Sequence, residues 1–141
     1  MKESKSQCPL NQALEVFGDK WTLLIIRDIM FAGKRYFNEM RESDEKIASN
    51  ILTDRLNKLE ELDIIIKSKD PYHKQKNVYT LTKMGIDLMP VMIEIAHWSV
   101  KHRQVNDKDK MHVKELVDGG KPLQEKMSSI LLKEFKKISK K

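Results

Sequence analysis

Ser49-Asn50-Ile51-Leu52-Thr53-Asp54-Arg55-Leu56-Asn57-Lys58-Leu59-Glu60-Glu61-Leu62 decides how this chain is read. Leu52, Leu56, Leu59 and Leu62 recur at helical spacing with Ile51 beside them, so a helix over 49–62 buries one face. Opposite the leucines lie Asn50, Thr53, Asp54 and Asn57, flanked by Ser49 and Lys58. Base edges in a major groove are read by hydrogen bonds, and short polar side chains near a helix N-terminus suit that task. Lys58 suits a phosphate. The same pattern also serves an ordinary amphipathic helix with a solvated face, so the neighbouring elements have to decide.

Downstream, Ile64-Ile65-Ile66 and Val78-Tyr79-Thr80-Leu81 flank a polar stretch over 67–77. This predicts a β-hairpin. Its tip holds Lys67, Lys69, Lys74 and Lys76 against one acid, Asp70, with His73 and Gln75 between. A basic loop can follow a DNA backbone or enter a minor groove. It can also be a charged turn that keeps an edge strand from aggregating. A basic hairpin directly after an amphipathic helix is more specific than either feature alone.

Upstream, a short helix is expected over 10–17 and ends at Gly18. Asp19 is a good N-cap and Gly33 a good stop for a helix over 20–32. That helix is apolar on nearly all sides apart from Arg27-Asp28, so it should be the central core element. A third helix reads over 36–42 and a polar turn over 43–47. The order is that of a helix-turn-helix closed by a β-hairpin wing. After the hairpin, a long helix over 82–102 is apolar on two faces. One face can rest on the domain, and the other implies a second copy of the chain. Pro90 inside it should bend it. Residues 103–110 read as a linker, followed by a helix over 111–117, a stop at Gly119-Gly120 and a last helix over 122–138. The expected organisation is a winged helix-turn-helix domain with flanking dimerisation helices over 1–102 and a helical C-terminal extension over 103–141.

The 141 residues make room for one domain with a short appendage. The net charge is +6, with 27 basic and 21 acidic residues. Residues 1–100 hold 15 of each sign, and residues 101–141 hold 12 basic and 6 acidic, so the surplus lies in the tail. The basic balance is therefore weak evidence for nucleic acid by itself. Mean hydropathy is −0.57. No apolar run reaches the ~18–20 residues a membrane helix needs, and no apolar stretch follows the charged first residues. With a single cysteine no internal disulfide forms, and a cytoplasmic protein that does not engage membrane is expected. The basic last helix reads as an amphipathic element kept soluble by its lysines.

Motifs over residues 8–102 carry a family resemblance. They are Cys8-Pro9-Leu10, Gly18-Asp19-Lys20-Trp21-Thr22-Leu23-Leu24-Ile25 and Arg35-Tyr36-Phe37-Asn38-Glu39-Met40, then Ile51-Leu52-Thr53-Asp54-Arg55-Leu56 with Leu59-Glu60, and Tyr79-Thr80-Leu81-Thr82 with Gly85. In these the chain resembles the HxlR-type winged helix-turn-helix transcriptional regulators. The resemblance implies a dimeric bacterial or archaeal regulator that binds double-stranded DNA and joins through its terminal helices. Leu10, Leu88, Met92, Ile95 and Trp98 are the candidates for that interface. In several such regulators a cysteine at the position of Cys8 senses oxidants or electrophiles, so the resemblance points to Cys8. That chemistry requires a thiolate, and the alternative is a small hydrophobe packed in an interface. Two departures stand out. The family often starts the recognition helix with Ser-Pro, whereas this chain has Ala48-Ser49, so Ser49 is expected to cap. The chain also runs on past residue 103, beyond the family's usual ending.

The candidate DNA contacts are therefore Arg35, Ser49, Asn50, Thr53, Arg55, Lys58, His73, Lys74, Gln75 and Lys76. Arg55 sits at the margin of the leucine face and can reach a phosphate or pair with an internal acid. Arg35 can touch the backbone or stand free on the surface. Met84, Met89 and Met92 fill a core or line an effector pocket. His73, His97, His102 and His112 do not have the spacing of a metal site, and no motif for a nucleophile with its base, a phosphate loop or paired carboxylates is present. Neither an enzyme nor a cofactor is expected. Two other readings stand beside the regulator: a winged helix used only for protein–protein interaction, and a regulator controlled by a small molecule held at the dimer interface.

Overall fold

The computed structural model describes residues 3–140. Contacts divide the chain into two compact units, Met1–Leu81 and Thr82–Lys141. The first unit is the expected helix-turn-helix closed by a hairpin wing. Helix α1 (Pro9–Phe17) has Pro9 in its first turn, where a missing N–H costs nothing. Asp19 caps α2 (Lys20–Met30) by accepting the amides of Trp21 and Thr22. The helix stops at Met30, short of the expected Ala32, and Gly33 turns the chain in the left-handed region at φ 69°. Helix α3 (Phe37–Arg41) is shorter than expected at both ends, because Tyr36 is extended and its amide donates to Glu39 Oε1.

Helix α4 (Ser49–Glu61) corrects one expectation. Ala48, not Ser49, is the N-cap, and no side chain caps it. Burial of Leu52, Leu56 and Leu59 holds this helix instead of a cap. Its C-terminus closes with two bonds, Asp63 N to the Glu60 carbonyl and Ile64 N to the Leu59 carbonyl, with Asp63 in the left-handed region at φ 60°. This Schellman geometry aims the chain straight into the wing.

Strand β1 (Ile65–Lys69) pairs antiparallel with β2 (Asn77–Leu81), from Ile65 opposite Leu81 to Lys69 opposite Asn77. The ladder reaches further outward than expected, so the turn is confined to residues 70–76. On the side of β2 away from β1, the Tyr79 amide donates to the Arg35 carbonyl at 2.9 Å. The core of this unit gathers Ile25, Ile26 and Ile29 of α2, Met40 of α3, the three α4 leucines, and Ile65 and Leu81 of the hairpin. Helix α2 is central, as its apolar pattern predicts. Its polar break is an ion network: Arg27 binds both carboxylate oxygens of Glu45 at 2.8 Å and Asp28 Oδ1 at 2.8 Å. Asp28 is 4% exposed and also accepts the Ser43 hydroxyl at 2.5 Å.

The second unit departs from the expected single helix over 82–102. A short α5 (Lys83–Ile86) precedes α6 (Met89–His102). Pro90 lies in the first turn of α6, where its missing N–H needs no acceptor, so it starts a helix instead of bending one. Helix α7 (Asp107–Ser139) begins inside the expected linker because Asn106 Oδ1 accepts the Asp109 amide at 2.8 Å. The two helices expected after residue 110 both lie within this span, parted by a non-helical kink at Gly120 (φ 56°, ψ −154°), where the stop was expected. Only glycine adopts such a conformation readily. Helix α7 lies along α6, and the Ser128 hydroxyl donates to Met89 Sδ at 3.7 Å. Met89, Ile93, Leu116 and Leu131 are buried, while Val91, Ile95 and Trp98 of α6 stay exposed.

Candidate nucleic-acid interface

The α4 surface is divided as the sequence pattern requires. Its leucines are buried, and Ser49, Asn50, Thr53, Asp54, Asn57 and Lys58 are exposed. Short donors and acceptors therefore face outward from the first two turns, and Lys58 from a later one. Arg55 is engaged elsewhere: its Nε donates to Asp19 Oδ2 at 2.9 Å and its Nη1 to Asp54 Oδ2 at 2.5 Å. Of the two roles open to Arg55, pairing with an internal acid is the one formed. Burial opposes ionisation of Asp19, but the Thr22 hydroxyl, Arg55 and two backbone amides outweigh it and hold the carboxyl at about 2. Asp19 thereby caps α2 and clamps α4 to it. Arg35 is likewise bound within the fold, its Nη1 donating to the carbonyls of Ile29 at 2.7 Å and Lys34 at 2.8 Å.

In the wing, residues 71–76 are exposed, so His73, Lys74, Gln75 and Lys76 all reach solvent. Lys69 Nζ donates to Asn77 Oδ1 at 3.0 Å, and Lys67 pairs with Glu60 of α4 at 3.8 Å. The basic groups gather on the hairpin far more than on α4. Asp70, the one acid of the tip, is turned inward and is 6% exposed. It accepts the Tyr36 hydroxyl at 2.6 Å through Oδ1, and the amides of Tyr72 and His73 at 2.9 Å through Oδ2. These bonds, the Tyr36 hydroxyl first, hold its carboxyl below the usual range. Two backbone bonds close the turn: Asp70 N to the Lys76 carbonyl at 3.0 Å, and Lys76 N to the His73 carbonyl at 2.8 Å. The Lys76 ammonium stands 5.5 Å from the centre of the Tyr36 ring. Sequence reasoning missed Tyr36 and Asp70. The signal available was Asp70-Pro71, since aspartate readily accepts amides two and three residues on.

Cys8 is exposed at the N-cap of α1, and its carbonyl accepts the Gln12 amide at 3.0 Å. Leu10 is 67% exposed, Ile95 47% and Trp98 56%, while Leu88 and Met92 are half-buried. On α6, Pro90, Val91, Glu94, Ile95 and Trp98 line an open apolar hollow of about 600 Å³. Trp98 also stacks at a tilt on His102, their ring centres 5.3 Å apart. Among the described residues no three His, Cys, Asp or Glu side chains converge as a metal site, and no helix is long and apolar enough to cross a membrane.

A model of the HxlR-like helix-turn-helix family matches residues 16–107. The uncharacterized HTH-type transcriptional regulator YdeP of Bacillus subtilis is 32% identical over 101 residues, which span 72% of this chain and 78% of YdeP. The HTH-type transcriptional regulator YodB of the same organism is 34% identical over 95 residues, spanning 67% of this chain and 84% of YodB. The structure of reduced YodB is similar over 72% of this chain and 100% of its own, with a TM-score of 0.57 and 30% identity. The redox regulator HypR in its oxidized form is similar over 70% of this chain and 100% of its own, with a TM-score of 0.59 and 34% identity. YodB has also been solved in diamide-treated and quinone-bound forms.

Proposed function

The chain belongs to the HxlR-like helix-turn-helix family of transcriptional regulators, and from that membership we propose that it reads double-stranded DNA as a homodimer in the cytoplasm. The observation that carries this reading is the division of α4 into buried leucines and an exposed polar face, followed directly by an exposed basic wing. Asn50 and Thr53 meet base edges in the major groove, and Ser49 and Lys58 meet phosphates. His73, Lys74, Gln75 and Lys76 follow the adjacent backbone. Arg35 and Arg55 act by holding this surface in shape, since their guanidinium groups already have partners. Two protomers read half-sites about one helical turn apart, roughly 34–36 Å.

The second copy covers exposed apolar side chains, Leu10 on α1 and Ile95 and Trp98 on α6, with Leu88 and Met92 at the margin. Cys8 is the switch. It is exposed and is the only cysteine in the sequence, and HypR and YodB are relatives solved in oxidized, diamide-treated or quinone-bound forms. Oxidation joins two thiols as a disulfide, with two electrons and two protons passing to the oxidant. The second thiol is Cys8 of another copy or a small cellular thiol. A quinone adds to the sulfur instead.

The test is gel-shift binding to the duplex upstream of the protein's own gene, reduced and then diamide-treated, for wild type and Cys8→Ser. Specific binding lost only by oxidized wild type is expected. Binding indifferent to diamide removes Cys8 as the switch. No preference over competitor DNA at low salt favours an interaction module. Lys74→Ala and Lys76→Ala should weaken binding to every duplex and flatten its salt dependence, whereas Asn50→Ala and Thr53→Ala should change sequence preference.

A further inference from the structure

Tyr72 is 89% exposed at the end of the wing, the most exposed large apolar side chain among the described residues. Folding gains almost nothing from its ring, because so little of it leaves water. Yet the backbone that carries it is closely defined. Pro71 fixes the preceding backbone torsion, and Asp70 accepts the Tyr72 and His73 amides while Tyr36 anchors Asp70. The turn is closed again between Lys76 and His73. The fold therefore holds the backbone of Tyr72 at a set point and projects its ring into solvent, and among the described residues its hydroxyl has no hydrogen-bond partner.

The groups around it are mostly lysines. Lys69, Lys74 and Lys76 and His73 share the hairpin end, while the Asp70 carboxylate is turned inward with its charge committed to Tyr36 and two amides. Such a surface attracts a polyanion. A ring with an apolar face and a polar edge, set among lysines, matches the chemistry of the minor groove. That groove is walled by deoxyribose, floored by hydrogen-bond acceptors and rimmed by phosphate.

We propose that Tyr72 is a DNA-contacting residue of the wing, its ring lying against deoxyribose in the minor groove while the neighbouring lysines hold the phosphates. This rests on the DNA-binding reading above. The contact is apolar, so it raises affinity without releasing counterions. That separates it from the lysine contacts, which set the salt slope.

The experiment measures affinity for the duplex upstream of the protein's own gene at several salt concentrations, for wild type, Tyr72→Ala, Tyr72→Phe and Lys74→Ala. It is repeated with the duplex saturated by distamycin, a minor-groove ligand. Tyr72→Ala should bind about tenfold more weakly with an unchanged salt slope, and Tyr72→Phe within about twofold of wild type. Lys74→Ala should flatten the slope. Distamycin should bring the ratio of wild type to Tyr72→Ala close to one. An exposed side chain can be removed without unfolding, which circular dichroism checks. Tyr72→Ala binding within twofold of wild type, a changed salt slope in that variant, or a ratio that survives distamycin each overturns the proposal. Wild type that binds no duplex preferentially overturns the DNA-binding reading itself, a result distinguishable from these.

Discussion

The Tyr36 hydroxyl donates to Asp70 Oδ1 at 2.6 Å, joining the residue that precedes α3 to the acid at the base of the wing turn, 34 positions away. It is a direct side-chain link between the helix-turn-helix and its wing. Asp70 in turn organises the tip through the amides of Tyr72 and His73. The hydrogen bond is charge-assisted, so it outweighs an ordinary neutral one.

Tyr36→Phe should therefore lower stability while leaving the ring in place. The effect should concentrate in the wing. Amide exchange at Tyr72 and His73 should quicken more than exchange in α2, and the Asp70 carboxyl should titrate at a higher pH than in wild type. Uniform exchange across the first unit would show that the bond does not serve the tip.

Arg55→Met tests which of two roles this arginine has. Its bonds to Asp19 and Asp54 assign it to the junction of α2 and α4. The variant should lose about 1 kcal/mol of stability and keep the wild-type salt slope of DNA binding. A slope flattened by about one unit would mean a phosphate contact instead.

The Arg27–Glu45 pair and the Asp19 cap should make the fold acid-sensitive in a defined window. Arg27 pulls the Glu45 carboxyl from 4.5 to about 2, and Asp19 is held at about 2 from 3.8. Both folded values lie below the unfolded ones. The stability they confer is complete above about pH 4.5 and is lost as pH falls towards 2. Thermal melting across this range should show a falling Tm in wild type. Arg27→Met should have a shallower dependence and a stability lower by about 2 kcal/mol near neutrality, since Asp28 stays buried beside it. Parallel curves for the two proteins would refute the assignment.

Thr80→Val should be neutral or stabilising by up to about 1 kcal/mol. Thr80 is 1% exposed, and its buried Oγ1 has no hydrogen-bond partner among the described residues. A lowered urea midpoint would mean the hydroxyl has a role that the contacts do not reveal.

The fold was legible where one periodicity had one physical solution. The leucine stripe of α4, the apolar run of α2 and the paired β-branched runs each announce their element. Asp19 announced itself as a cap because capping is local. Legibility failed where the outcome depended on distant partners. Asp70 looked like the lone acid of a basic loop, and nothing nearby in sequence indicates that Tyr36 would take it inward. Arg35 read as an available cation until the fold brought carbonyls to it, and Arg55 stood between a phosphate and an internal acid until the fold brought Asp19 to it. Pro90 was misread for another reason. A proline fits a helix start as well as a kink, whereas the break read at Gly119-Gly120 is where the chain turns non-helical.

The hydrogen bond from the Tyr79 amide to the Arg35 carbonyl bears on how copies of this chain can meet. A two-stranded ribbon ordinarily leaves both of its flanks open to recruitment by a foreign strand, the route by which soluble domains grow into fibrous aggregates. Here the flank of β2 is already occupied at its middle residue by the chain's own backbone. An intruding strand would have to displace that carbonyl and loosen the start of α3 with it. Strand addition along this flank is thus blocked at its centre.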